Sequence, residues 1–247
     1  MKSQSSLSIL QIAGSEAETY LQNLLTADIR TVADGHWTNA AFCSPQGKVQ
    51  AMLRIARIEK NYFVLIPETL SESIAKRWKL FSLNRPVQLI PRAELEASAV
   101  GGTERSAALE NNRLSFGGIN GFTAADNIAA RFAQILPATQ DQFLPQMLGL
   151  EENGGLNYAK GCYIGQEIIA RAHSRAPVRR HLQLLQSETA QNSPLAAGDT
   201  LYAEEQAAAN IIESYIENDR LIALAVVQDR YADSLLSDAQ GNRYYCL

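Results

Sequence analysis

The sequence predicts an α+β fold, on three observations. Apolar stripes of helical period alternate with strand-like segments through the first two-thirds of the chain. Residues 177–247 then carry only short alternating segments parted by turn residues, the pattern of a small β-rich domain. The composition is globular, with 46% hydrophobic and 19% charged residues in 247. Two regions are therefore expected, 1–176 and 177–247.

The first region opens with Leu7 and Ile9 alternating as in a half-buried strand. Ser15 and Glu18 have capping-box spacing, and Ala17, Tyr20, Leu21, Leu24 and Leu25 form one helical stripe, which predicts a helix ending near Asp28. Strands are expected over His36–Cys43 and Lys48–Ile58, joined by Ser44-Pro45-Gln46-Gly47 as a reversal. In the second of them Val49, Ala51, Leu53 and Ile55 share a face, while Lys48, Gln50, Arg54 and Glu59 mark the wetter positions. Tyr62–Ile66 is a third strand, and Leu70, Ile74, Trp78 and Phe81 form a helical stripe after Pro67. Strands at Val87–Ile90, at Ala97–Val100 and around Leu114 and Phe116 are followed by a helix over Ala124–Leu136. In the second region Val178–Leu185, Thr200–Tyr202, Asn210–Ile216, Leu221–Val227 and Arg243–Cys246 read as strands.

Charge and composition narrow the function classes. Lys and Arg total 22 against 26 Asp and Glu, a net charge of -4, so nothing draws the chain generally to phosphate backbones or anionic lipid. The longest clean apolar run, Leu221–Val227, is far short of the ~20 residues of a membrane helix. The Ser/Gln-rich start after Met1 and Lys2 has no long apolar h-region, and the reading is cytoplasmic. Cys43, Cys162 and Cys246 encode neither a disulfide framework nor a four-thiolate zinc site, and His36, His173 and His181 have no metal-ligand spacing, so no metal is expected. Nucleotide-binding glycine fingerprints, a zincin motif and a nucleophile elbow are all missing.

Chemistry concentrates in Asn153-Gly154-Gly155-Leu156-Asn157-Tyr158-Ala159-Lys160-Gly161-Cys162-Tyr163-Ile164-Gly165-Gln166-Glu167 and on to Arg171. Its glycines permit close backbone approach, as in a loop that serves a site. Lys160 and a helix start near Gly165–Glu167 would both stabilise a Cys162 thiolate if the side chains converge; the alternative is an inert Cys buried in a tight turn. Cys43 reads as a packing residue. Gln166 and Glu167 either bond a polar ligand or cap the helix. Arg171, His173, Arg175, Arg179, Arg180 and His181 form the most basic stretch, which is either a solvated face or a site for an anion, a polyglutamate tail or an RNA phosphate.

Phe143-Leu144-Pro145-Gln146-Met147-Leu148, Gly154-Gly155-Leu156, Lys160-Gly161-Cys162-Tyr163-Ile164-Gly165-Gln166-Glu167 and Ala170-Arg171 together resemble the signature of the YgfZ family, folate-binding relatives of the glycine-cleavage T-protein. Leu25-Thr26-Ala27-Asp28 and Cys43-Ser44-Pro45-Gln46-Gly47-Lys48 extend the likeness. The resemblance implies a T-protein-like folate-binding fold with a small C-terminal β-barrel. It also implies an accessory role in assembling or repairing iron-sulfur clusters of client enzymes, among them radical enzymes that methylthiolate tRNA. Tetrahydrofolate or a derivative would be the cofactor, lying in a central cavity near Cys162, and client enzymes or assembly proteins the partners. Direct tRNA binding is possible on this reading but not favoured. Cys162 would be the central thiol of a motif made with Lys160, Gly161, Tyr163, Gly165, Gln166 and Glu167, while Arg131, Tyr163 and Arg171 would contact folate. The alternative is a T-protein-like aminomethyl transferase, for which no carboxylate stands out. The chain departs from the family pattern in being short, compressed around residues 103–140, and in carrying Ala133-Gln134-Ile135-Leu136-Pro137 where relatives have Glu-Ala-Gly before an apolar residue and Pro.

Overall fold

A computed structural model describes residues 6–175 and 177–247; the Met1–Lys2 start and Ala176, where the two regions were expected to meet, lie outside the described residues. The N-terminal elements are β1 (Leu7–Ala13), α1 (Ala17–Leu24), β2 (His36–Cys43), β3 (Val49–Ile58), β4 (Asn61–Pro67), α2 (Glu68–Phe81) and β5 (Gln88–Pro91). The five strands pair antiparallel in the order β2-β3-β4-β1-β5. A small sheet follows, built from β6 (Glu96–Val100), β7 (Ala107–Glu110) and β8 (Arg113–Gly117), with β8 central and parallel to β6. The short α3 (Ala124–Ala129) and α4 (Gln166–Ser174) flank a long stretch without strands. Finally β9 (Arg180–Ser187), β10 (Thr200–Ala203), β11 (Gln206–Glu217), β12 (Arg220–Gln228), β13 (Leu236–Ser237) and β14 (Arg243–Cys246) close into a barrel in the order β10-β11-β12-β9-β14-β13.

The five-stranded sheet is covered on both faces. Leu10, Ile12, Leu53, Ile55 and Val64 pack with Leu21 of α1 and Leu70, Ile74 and Trp78 of α2, the core role expected of Trp78. The opposite face, with Ile9, Trp37, Ala56, Phe63 and Leu65, is roofed by Leu114 and Phe116 of the small sheet and by Phe122. This double burial corrects the expectation that Gln50 and Arg54 are wet, since each is only 3% exposed. The barrel repeats the pattern. Leu221, Ala223, Ala225 and Val227 fill its interior, whereas Leu224 and Val226, on the other face of β12, join the main core with Leu182 and Ile212. An unbroken apolar run is what a strand buried on both faces requires.

Several boundaries differ from the sequence reading. Helix α1 stops at Leu24, since Leu25 is extended and bridges Phe42; its N-cap is Glu16, without a side-chain cap, so the Ser15–Glu18 capping box does not form. A capping box forms instead at Thr123 and Asp126. Helix α3 ends at Ala129 and not at Leu136, because Arg131 takes a left-handed conformation (φ 49) that a helix cannot continue through. Phe132, Ala133 and Ile135 then run through the main core.

A buried polar chain joins sheet to barrel. Arg54 of β3 donates from Nη2 to Asn127 Oδ1 of α3 at 3.0 Å, and Asn127 Nδ2 donates to Glu213 Oε2 of β11 at 3.1 Å. The guanidinium lies 3.7 Å from the Phe132 ring centroid and 5.5 Å from that of Phe122. Burial pulls the Arg54 pKa down to about 10, with Glu213 opposing, so it stays a cation at neutral pH. Asn127→Ala removes a buried acceptor from a cation and a buried donor from a carboxylate, and is expected to cost about 2–3 kcal/mol. Urea unfolding followed by the fluorescence of Trp37 and Trp78 measures this; a loss below roughly 0.5 kcal/mol would show that the chain of bonds adds nothing beyond ordinary surface effects.

Candidate functional site

The motif loop is fastened from beneath by Lys160. Its ammonium is 6% exposed and donates to the carbonyls of Gln22 at 2.6 Å, Leu25 at 2.6 Å and Ala27 at 2.8 Å, at and just past the C-terminus of α1. Helix C-termini leave carbonyls without intrahelical donors and carry partial negative charge, so a cation satisfies both needs there. Burial draws the Lys160 pKa down to about 8 against the pull of Asp28, leaving the group protonated at pH 7. Tyr163 is also buried, with its ring centroid 5.0 Å from Lys160 Nζ, and burial raises its hydroxyl pKa.

Thr26 supplies the second fastening. Its Oγ1 donates to Gly155 O at 2.6 Å and accepts from Ala41 N at 2.8 Å, while its carbonyl accepts from Asn157 N at 3.0 Å. Asn157 Oδ1 in turn accepts from the amides of Ala159 and Lys160. A third contact joins two glycines. At Gly165 (φ 81) a Cβ would come within 2.5 Å of Ser44 O and 2.8 Å of Gly47 Cα. At Gly47 (φ 73) it would meet Ile169 and Ile168 of α4 at 3.1 and 3.2 Å. The hairpin turn Ser44–Gly47 and the start of α4 thus touch backbone to backbone, which only glycine allows.

Between these anchors Cys162 is exposed. Lys160 and Cys162 do not converge as the sequence suggested, for the lysine points inward to three carbonyls and the thiol lies on the surface. Cys162 lines none of the three cavities described here. Glu167 and Arg171 are exposed and pair with each other at 2.7 Å, one turn apart on α4, while Gln166 is the first helical residue after Gly165. Gly161 is open, with nothing within 4 Å of an added Cβ. Cys43 is buried, which raises its thiol pKa. Among the described residues no group of three His, Cys, Asp or Glu side chains could hold a metal ion, and no helix is long and apolar enough to cross a membrane.

Arg131 lies elsewhere. It lines a cavity of about 460 Å³ with Arg105, Gln146, Glu152, Asn153 and His181, at the seam between the N-terminal elements and the barrel. Tyr163 and Arg171 do not line it, so the three expected folate contacts are not gathered in one place. Gln146 Oε1 and Asn153 Nδ2 at its wall are buried without hydrogen-bond partners. Gln146 lies within the Phe143–Leu148 segment, to which the sequence assigns no role of its own; Arg105 carries no sequence signal, because only the folded topology assembles this wall. A further cavity, of about 800 Å³, lies apart from the motif between α2, β1 and β5.

No family model matches the chain. The chain is 28% identical to an uncharacterized protein of Haemophilus influenzae over 92% of its own length and 88% of that protein. It is 27% identical to tRNA-modifying protein YgfZ of Escherichia coli O157:H7, over 70% of this chain and 68% of that one. The chain is homologous to the YgfZ proteins. Among solved structures, the glycine cleavage system aminomethyltransferase T from Bartonella henselae superposes with a TM-score of 0.75 over 98% of this chain and 83% of that one, at 13% identity. The fold is thus of the T-protein type, ending in a closed six-stranded barrel.

The two classes of motif residue respond oppositely to substitution. Lys160→Met strips three buried carbonyls of their donor and is expected to cost about 2 kcal/mol or more in denaturant unfolding. Gly165→Ala, strained at φ 81 and clashing with Ser44 O, is expected to lower stability by a few kcal/mol, whereas Gly161→Ala stays within about 0.5 kcal/mol of wild type. Equal losses at Gly161 and Gly165 would contradict this assignment.

Proposed function

We propose that the chain is a folate-binding accessory factor for iron-sulfur client enzymes, with Cys162 as the thiol presented to the client or to its assembly machinery. The observation that carries this reading is the contrast inside the motif: Lys160, Tyr163 and Gly165 are committed to internal contacts, and the Cys162 side chain between them is exposed. Such a platform suits a reaction with a group on another macromolecule, since a thiol outside any described cavity has no wall to hold a small substrate. The relatives' name, tRNA-modifying protein, accords with clients among tRNA-modifying enzymes. Cytoplasmic work with such clients is part of the proposal.

The residues of the seam cavity fit a reduced folate. Its volume falls in the ~300–1,000 Å³ range of small-molecule sites. Arg105 and Arg131 offer cations for glutamyl carboxylates, and Gln146 and Asn153 add polar wall. When bound, tetrahydrofolate supplies one-carbon or reducing chemistry. The aminomethyl-transferase alternative requires a carboxylate to handle the folate amine. Glu152, which lines this cavity, is the acid such a reaction would use, while Asp126 is spent on the α3 cap; the accessory role is preferred for the exposed Cys162 of the motif.

Cys162→Ser tests the thiol. It is expected to leave the unfolding midpoint unchanged and to abolish support of client-enzyme activity in cells lacking the protein; full complementation would remove the thiol from the mechanism. Tetrahydrofolate at about 100 times its Kd should stabilise wild type and Cys162→Ser alike by roughly 2.7 kcal/mol, and no thermal shift at high concentration would refute the folate part.

A further inference from the structure

Helix α2 buries one side and carries a patterned row on the other. Leu70, Ile74 and Trp78 enter the main core. Glu68, Glu72, Lys76 and Leu80 recur every four residues and are all exposed, so they form one ridge along the outer side, with Lys79 next to it. Among the described residues none of these four charged side chains is in an ion pair, although Glu72 and Lys76 have the same spacing at which Glu167 and Arg171 of α4 do pair. Acids toward the N-terminus and lysines toward the C-terminus suit the dipole of α2 itself. The dipole does not account for the apolar end of the row, where Leu80 is 67% exposed and is followed by the exposed Phe81 and Leu83.

The 800 Å³ cavity runs beside the same row, with Glu68, Glu72, Lys76 and Lys79 on one side and residues of β1 and β5 on the other. From Glu68 to Lys79 it follows the helix for about 16 Å. Strand register gives the groove a direction. Leu7 pairs with Pro67, so Leu7 and Ile66 wall the Glu68 end, whereas Leu89 sits opposite Ile12 near the start of β5, to which residues 82–87 return the chain from the end of α2. Arg92 of the wall is already bonded to Glu94 and Gln11, which leaves Lys76 and Lys79 as the cations open to a partner. Neither Cys162 nor Arg131 lines this groove.

We propose that this side of α2 is the contact of a reversible homodimer, in which α2 of a second copy lies antiparallel across it on a two-fold axis. A two-fold contact must complement itself, and this row does so only when run backwards against its own copy. Lys76 then faces the partner's Glu72 and Lys79 faces the partner's Glu68, each pair occurring twice, whereas a parallel pairing sets like charges together. The same order carries Leu80 and Leu83 past the partner's Glu68, to the end of the groove that Leu7 and Ile66 wall. Charge and apolar surface are thus matched by one arrangement. A contact made mainly by one helix belongs to the small end of interface sizes, so the Kd is expected in the range of about 10–100 µM. Neither the motif thiol nor a folate enters this inference.

Sedimentation velocity of the full chain between about 2 and 200 µM tests this, with wild type expected to pass from monomer toward dimer and to dissociate as salt is raised. The double variants Glu68→Lys/Glu72→Lys and Lys76→Glu/Lys79→Glu each set like charges across the axis, and each alone should associate at least about tenfold more weakly. Mixed in equal amounts they should recover the association as a mixed dimer, read by a fluorophore on one of them. Leu80→Ser alters the row without touching its charges or the helix dipole, and should weaken wild-type association several-fold; its unfolding midpoint, and those of the double variants, show that the chains compared are folded. Wild type that stays monomeric to about 200 µM overturns the proposal. So does a dimer that neither the charge reversals nor Leu80→Ser weakens, since the copies then meet on another surface, and so does a mixture of folded double variants that fails to recover association.

Discussion

The motif's geometry depends on one buried ammonium. Lys160 ends inside a cage of three carbonyls contributed by the last turn of α1 and the residues just after it, and no neutral side chain could satisfy all three. Placing a cation there costs desolvation, which its lowered pKa records, and the short carbonyl bonds together with the helix dipole offset that cost. The result is a fixed point between segments some 135 residues apart in sequence. Thr26 and the Gly47–Gly165 contact then have little freedom left to absorb, and the chain emerges at Cys162 in one orientation.

A second constraint acts across the molecule. The barrel is more than an appendage, for Leu182, Ile212, Leu224 and Val226 on its outer face belong to the same apolar core as α1 and α2. Arg54, Asn127 and Glu213 run through that contact as a line of specific hydrogen bonds, which apolar packing alone would not orient. The seam cavity lies beside that contact, walled by Arg105, the end of α3 with Arg131, residues of the 146–153 segment, and His181 and Leu182 of β9, the last of which also belongs to the shared core.

The sequence made much of this visible, and where it failed the causes are physical. Alternation located β2, β3, β4, β9 and β12 because those strands are long and rich in apolar residues. Arg54 and Gln50 read as wet because nothing local to β3 reveals that Asn127, Phe122 and Phe132 cover the one and the Gln140–Asp141 segment the other. The Ala124–Leu136 helix was overextended because helix-forming composition does not register one residue turning left-handed, as Arg131 does. In the motif, residue identity located the segment but not the direction each side chain takes. Lys160 two positions from Cys162 invited a thiolate partnership, and only tertiary contact sends the lysine inward. The seam cavity was illegible because Arg105, Arg131, Gln146 and His181 come from four separate stretches of chain.

The separation of thiol and cavity raises the question of how one could sense the other, and Gln146 provides a physical link. Gln146 is a residue of the cavity wall, and its Nε2 donates at 2.8 Å to the carbonyl of Ile169 on α4, the helix that begins three residues after Tyr163. Ile169 also packs on Gly47 at the glycine contact that seats the motif. Helix α4 in turn carries Gly165 at its N-cap. Cavity wall and motif are thus joined through one side chain and one helix, so the contacts that seat the motif on Gly47 also hold part of that wall in place.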